Sequence, residues 1–138
     1  MLVVVSGAPC AGKSTYIAEN AKGDDVVIDM DRIALAFAVK EDASHSYSQA
    51  IRAIARVARD AAKKKALEFA SNDRGFTVWL IETSPAPSAI SFYRQIGAKF
   101  VVCDPGLDVC LERLKSRPVS NRMEMDKVIR DWYANRVR

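Results

Sequence analysis

Four short runs of the chain are apolar at nearly every position: Leu2-Val3-Val4-Val5, Val26-Val27-Ile28, Phe76-Thr77-Val78-Trp79-Leu80-Ile81 and Phe100-Val101-Val102-Cys103. A strand with one wet face alternates apolar and polar residues. Runs without alternation predict strands buried on both faces, as in parallel sheets. Between the runs, apolar residues recur at helical spacing. Helices are predicted from Lys13 to about Ala21, before Gly23; from Asp31 to Val39; from Ser48 to about Ala70, before Gly75; and from Ser88 to Ile96, before Gly97. Leu107, Cys110, Leu111 and Leu114 form one further stripe, and Met125, Val128, Ile129, Trp132, Tyr133 and Val137 form the clearest one. Strands alternating with helices predict βαβ units. The expected fold class is α/β, with three layers, about four parallel strands and a single domain over residues 1–138. The loosest stretch is Lys40 to Ser48, which is polar and carries His45, read as a loop residue.

Composition narrows the classes. Apolar residues make up 49% and charged residues 28% of the 138, the balance of an ordinary globular domain. No apolar run approaches the about 18 residues of a membrane span. The opening run is short and lacks a basic lead-in, so it reads as a strand and not as a signal peptide. Three cysteines without a Cys-x-x-Cys pair argue against a disulfide framework and for a reducing cytoplasm. With His45 the one histidine, a multi-histidine metal site is excluded and any Ser-His-Asp triad would have to use it. The net charge is +4, but it is local: residues 1–112 carry 13 Lys/Arg against 14 Asp/Glu, and residues 113–138 carry eight against three.

The strongest motif is Gly7-Ala8-Pro9-Cys10-Ala11-Gly12-Lys13-Ser14, followed by Thr15, which fits G-x-x-x-x-G-K-[ST] at every fixed position. It sits where that motif must sit, between an apolar strand and a helix. Gly7 and Gly12 permit backbone angles that bring amide N–H groups onto phosphate oxygens, and the helix start adds unpaired N–H groups and its positive dipole end. Lys13 is the expected partner of the β- and γ-phosphates, and the Ser14 hydroxyl the expected Mg²⁺ ligand. ATP and Mg²⁺ are therefore the expected nucleotide and metal. Cys10 reads as a small residue filling a tight turn, or, if exposed, as a site of oxidation or alkylation.

GTPases are disfavoured, because the chain has no Asn-Lys-x-Asp and no Asp-x-x-Gly segment. The second strand instead delivers Asp29-Met30-Asp31-Arg32 at its carboxyl end and the third delivers Glu82-Thr83. That edge is the ligand edge of open α/β sheets. A carboxylate there suits an acceptor hydroxyl, and Asp31 alternatively reads as the N-cap of the helix that follows. Arg113 and Arg117 share one helix face, Pro118 breaks the helix, and Asn121 and Glu124 are placed to cap the next one. Arg117 and Arg122 thus flank a break between two helices, an Arg-bearing lid at about residues 113–124. Arginines there can grip transferring phosphate oxygens with their planar forks.

With these motifs in order, the chain resembles small P-loop phosphotransferases related to phage polynucleotide 5′-kinase and, more distantly, zeta-toxin-like kinases. The resemblance rests on the Gly7–Thr15 loop, Asp29-x-Asp31, Glu82-Thr83 before a Pro-containing loop, the Arg-rich lid and the final Val128-Ile129-Arg130-x-Trp132-Tyr133 pattern. It implies a P-loop kinase fold, a phage-encoded protein acting in a host cytoplasm, and phosphate transfer to a nucleic acid 5′-hydroxyl. It also implies Asp31 as general base, with Asp29 the other candidate, and Arg117 ahead of Arg122 as the lid arginine. Arg32, Glu82 and Thr83 join Asp29 as implied substrate contacts. The chain departs from that pattern at Ala34, where the polynucleotide enzymes carry an arginine for the acceptor phosphate. A nucleotide or metabolite kinase is the same-class rival, and a non-catalytic ATP-binding module or simple ATPase is the other. An oligomer is compatible with the pattern.

Arg52, Arg56, Arg59 and Lys63 share a helical face, with Lys64 and Lys65 beside it. The expectation is a solvated outer face, with the opposite Ala/Ile/Val face turned inward; contact of this basic face with a nucleic acid backbone is the alternative. Trp79 is expected in the core, and Trp132 and Tyr133 are expected to fix the final helix to the body. Ser84-Pro85-Ala86-Pro87 is expected to be a loop beside the acceptor site or the start of the next helix.

Overall fold

A computed structural model describes residues 1–39, 47–72, 74–117, 119 and 121–136. His45, the predicted helix break at Pro118, and Val137 of the final stripe lie outside the described residues. Among the described residues, four strands form one parallel sheet: β1 (Leu2–Ser6), β2 (Val26–Ile28), β3 (Val78–Glu82) and β4 (Lys99–Val102), in the order β2-β3-β1-β4. The helices are α1 (Lys13–Asn20), α2 (Met30–Phe37), α3 (Gln49–Ser71), α4 (Pro87–Gln95), α5 (Leu107–Lys115) and α6 (Arg122–Ala134). The expected α/β architecture with about four strands is the observed one, and each predicted boundary lies within about two residues of the structure.

Successive side chains of a strand face opposite ways, and the core divides accordingly. Leu2 and Val4 of β1 join Val78 and Leu80 of β3 on one side, under Ala66 and Ala70 of α3 and Tyr93 of α4. Val3, Val5 and Trp79 point to the other side and meet Ile17 of α1. These are the three layers. A separate cluster joins Ala8, Cys10 and Ala11 of the loop after β1 to Cys110 and Leu114 of α5 and Ile129 of α6. The α5–α6 pair is thus packed onto that loop and not onto the sheet face.

Two expectations about the elements are corrected. The central strands β1 and β3 are the buried ones, while β4 is largely exposed and β2 only partly covered. Both are edge strands, and an edge strand of a small sheet lacks a full layer over it. In the final helix Val128 is 44% exposed and so leaves the apolar stripe. Trp132 and Tyr133 do anchor that helix: Trp132 Nε1 donates to the Thr83 carbonyl at 2.8 Å, and the Tyr133 hydroxyl donates to Asp104 Oδ1 at 2.8 Å.

Candidate functional site

The chain leaves β1 for β2 on one side and leaves β3 for β4 on the other. The carboxyl ends of β1 and β3, which are neighbours, therefore flank the topological switch point, where open α/β sheets hold ligands. A cleft of about 800 Å³ opens there. Pro9 to Thr15, Asp29, Asp31, Glu82, Thr83 and Arg117 all line it.

The loop after β1 has the conformation its glycines predict. Gly7 (φ +153°) and Gly12 (φ +93°) lie in the region L side chains rarely adopt, and a Cβ at Gly7 would stand 2.6 Å from the Cys103 carbonyl oxygen. Cys10 also has positive φ, +65°. Gly12 caps α1 without any side-chain hydrogen bond, so the first-turn N–H groups of this helix are left for an external acceptor. Lys13 Nζ donates to the Gly7 carbonyl at 2.6 Å and the Ala8 carbonyl at 2.8 Å, which folds it over the loop. Burial lowers its pKa, although Asp29 and Asp31 act on it in the opposite sense. Ser14 and Thr15 are exposed on the first turn of α1.

The end of β2 separates the two aspartates. Asp29 is the N-cap of α2 and accepts from the Asp31 N–H at 3.1 Å through Oδ1. It is buried at 7% exposure. The alternative reading of Asp31 as the cap is thereby corrected: Asp31 stands in the first turn, exposed, on the cleft wall. Arg32, one residue on, is exposed and does not line the cleft. Ala34 is buried at 2% exposure and faces the interior.

The arginines of the expected lid divide in the same way. Arg113 Nη1 donates to the Cys10 carbonyl at 3.1 Å and Arg117 Nη1 to Cys10 Sγ at 3.4 Å, so both reach the phosphate loop. Arg122 is exposed and donates to the Arg117 carbonyl at 2.7 Å, away from the cleft lining. Cys10 is buried, and burial raises its thiol pKa, so the condition for a reactive exposed thiol is not met. Asn121 is the N-cap of α6, but the expected capping bond is missing. Its Oδ1 is buried without a hydrogen-bond partner among the described residues.

Glu82 and the charged face of α3 are where sequence reasoning fell short. Glu82 Oε1 accepts from Lys63 Nζ at 2.8 Å, the Tyr93 hydroxyl at 2.8 Å and Arg59 Nη2 at 3.3 Å. Burial alone would raise its pKa, but the bonds from Lys63, Tyr93 and Arg59 outweigh that and hold it below the ordinary value. Arg56, Arg59 and Lys63 line the cleft. The supposed apolar inner face contains Ile54 and Val57, at 55% and 71% exposure. The expected solvated face of α3 is therefore partly the cleft wall, and part of the expected core face is wet. A basic residue every three or four positions opposite a strand-end acid was the available signal.

A strand, a glycine loop with a positive-φ backbone, a lysine over that loop and a helix start capped by a glycine with no side chain to offer together define a P-loop nucleotide-binding protein of the kinase or ATPase kind. The chain belongs to the AAA domain family, which it matches over residues 2–136. No curated protein matches it significantly. Among the described residues no helix is long and apolar enough to cross a membrane.

Proposed function

We propose that the protein transfers the γ-phosphate of ATP to an acceptor hydroxyl, and that this hydroxyl is the 5′ end of a nucleic acid. The observation that carries the reading is the position of Asp31, a carboxylate on the wall of the same cleft that holds Lys13, Ser14 and the open start of α1. A bare ATP-binding module has no need of an acid facing its phosphate loop.

The donor set suits ATP with Mg²⁺. Magnesium takes few protein ligands in such sites and completes its shell with phosphate oxygens and water, so the exposed Ser14 hydroxyl suffices for this chain's share. The metal, when bound, neutralises charge on the phosphates. Lys13 leaves the Gly7 and Ala8 carbonyls for phosphate oxygens. Asp31 orients the acceptor hydroxyl and takes its proton. The acceptor oxygen forms its bond to the γ-phosphorus as the bond to the bridging oxygen breaks, and ADP departs with that electron pair. Arg117, held against Cys10, neutralises charge on the transferring group. Asp29 is the poorer base because it is buried at 7% exposure as the N-cap of α2, whereas Asp31 is exposed on the cleft wall.

The deciding experiment is label transfer from γ-³²P-ATP to 5′-hydroxyl oligonucleotides, mononucleotides and water. Labelled oligonucleotide is the expected product. Label in mononucleotides alone selects a metabolite kinase, a reading that the buried Ala34 favours. Release of free phosphate alone selects an ATPase.

A further inference from the structure

Three cations of α3 face one wall of the cleft: Arg56, Arg59 and Lys63, three and four residues apart. Arg59 and Lys63 are not spread into water, since their side chains are 16% and 23% exposed. Both pair with the same oxygen of Glu82, which is itself 11% exposed. One carboxylate thus faces two cations in a largely buried cluster. Arg56, one turn earlier, adds another positive charge. Arg56 is exposed, and so is the neighbouring acid Asp60, which lines the same cleft 3.9 Å from Arg59; the three cations thus face two carboxylates, Glu82 and Asp60, and one positive charge is left over. Asp29 and Asp31 stand at the end of β2 and act on Lys13. A surplus of partly buried positive charge is costly unless an anion completes it.

The position of the surplus says which anion. The cluster sits at the carboxyl end of β3, on one side of β1. The phosphate loop rises from β1 itself, and the lid arginines follow β4 on the other side. Asp31 lines the same cleft as the α3 cations. We propose that Arg56, Arg59 and Lys63 form an anion subsite for the acceptor, held in place by Glu82, so that the acceptor carries a phosphate group beside its reacting hydroxyl. Glu82 is then a positioning residue: three donors on one oxygen fix Arg59 and Lys63, and its carboxylate does not itself touch the substrate. The inference rests on the phosphotransfer reading for the word acceptor, but not for the subsite. The phosphate belongs either to a nucleic acid strand or to a free phosphorylated alcohol.

Binding is measured first, without turnover, by calorimetry in the presence of a non-hydrolysable ATP analogue. The probes are thymidine, thymidine 3′-monophosphate, and 5′-hydroxyl thymidine oligomers whose first linkage is either phosphate or neutral methylphosphonate. The charged probes are expected to bind at least about tenfold more tightly than their neutral counterparts, the worth of one charge-assisted hydrogen bond. Arg56→Ala, a change at an exposed position, is expected to remove most of that ratio. Glu82→Gln is expected to reduce the ratio, and Glu82→Asp to restore part of it. A charged oligomer that outbinds the monophosphate identifies a strand as the source, and the reverse order identifies a free metabolite. Equal binding of charged and neutral probes overturns the subsite. So does an Arg56→Ala variant that weakens the ATP analogue as much as the charged probes. If charged probes bind through Arg56 while γ-³²P-ATP labels none of them, the phosphotransfer reading fails and the anion subsite stands.

Discussion

At the scale of single residues, the phosphate loop is the feature most nearly dictated by sequence. Gly7 and Gly12 were recognisable from spacing alone, and the structure adds the reason for Gly7: a Cβ there would stand 2.6 Å from the Cys103 carbonyl. Gly7→Ala is expected to lower stability by about 2 kcal/mol or more, because strain and overpacking act together; urea unfolding of the two proteins measures it. Asp31→Asn keeps the side-chain shape and removes the proton acceptor. It is expected to slow phosphate transfer by about 10²–10⁴-fold while nucleotide affinity holds, read from single-turnover transfer and from titration with an ATP analogue. Transfer at the wild-type rate removes Asp31 from the mechanism. The residues that sequence misjudged are those whose neighbours come from distant segments. The burial of Cys10 depends on α5 and α6, and the burial of most of the Glu82 side chain depends on α3 and α4.

At the scale of elements, α3 carries the main surprise. Its pattern reads as an amphipathic helix with a charged outer face, yet Arg59 and Lys63 turn to the end of β3 and join it through Glu82. A helical wheel shows which residues share a face and is silent on what that face meets. The joint has a pH signature. Glu82 is held below its ordinary value of 4.5, so the folded protein binds this proton less readily than the unfolded chain. Its contribution is therefore full above the ordinary value and disappears as pH falls through the lowered one. The stability gap between wild type and Glu82→Gln is expected to be about 2 kcal/mol at pH 7 and to narrow on acidification, as followed by urea unfolding from pH 7 to pH 3. A gap that widens in acid contradicts the assignment. The α5–α6 pair shows the opposite case: its stripe predicted an anchored helix, and Trp132 and Tyr133 supply the anchors.

At the scale of the whole molecule, the P-loop side of the cleft joins the sheet, α1 and the α5–α6 pair through shared core clusters. A ligand that binds only the folded state stabilises it by mass action, by about 2.7 kcal/mol at 100 times its dissociation constant. For a domain of this size, that corresponds to an upward shift of roughly 8–10 °C in the melting temperature. ATP with Mg²⁺ is expected to produce it in a thermal melt, and Lys13→Ala is expected to abolish most of it.

The sequence by itself determined the order of strands and helices, the phosphate loop and the acids at the strand ends. These depend on local periodicity, on backbone angles only glycine adopts freely, and on residues a few positions apart. Tertiary structure alone decided that β4 is an exposed edge and that the basic face of α3 forms a wall of the cleft. Each of these depends on which segments become neighbours. The strand order β2-β3-β1-β4 sets that, by burying the central strands β1 and β3 and bringing their carboxyl ends together beside the cleft that α3 and Arg117 also line.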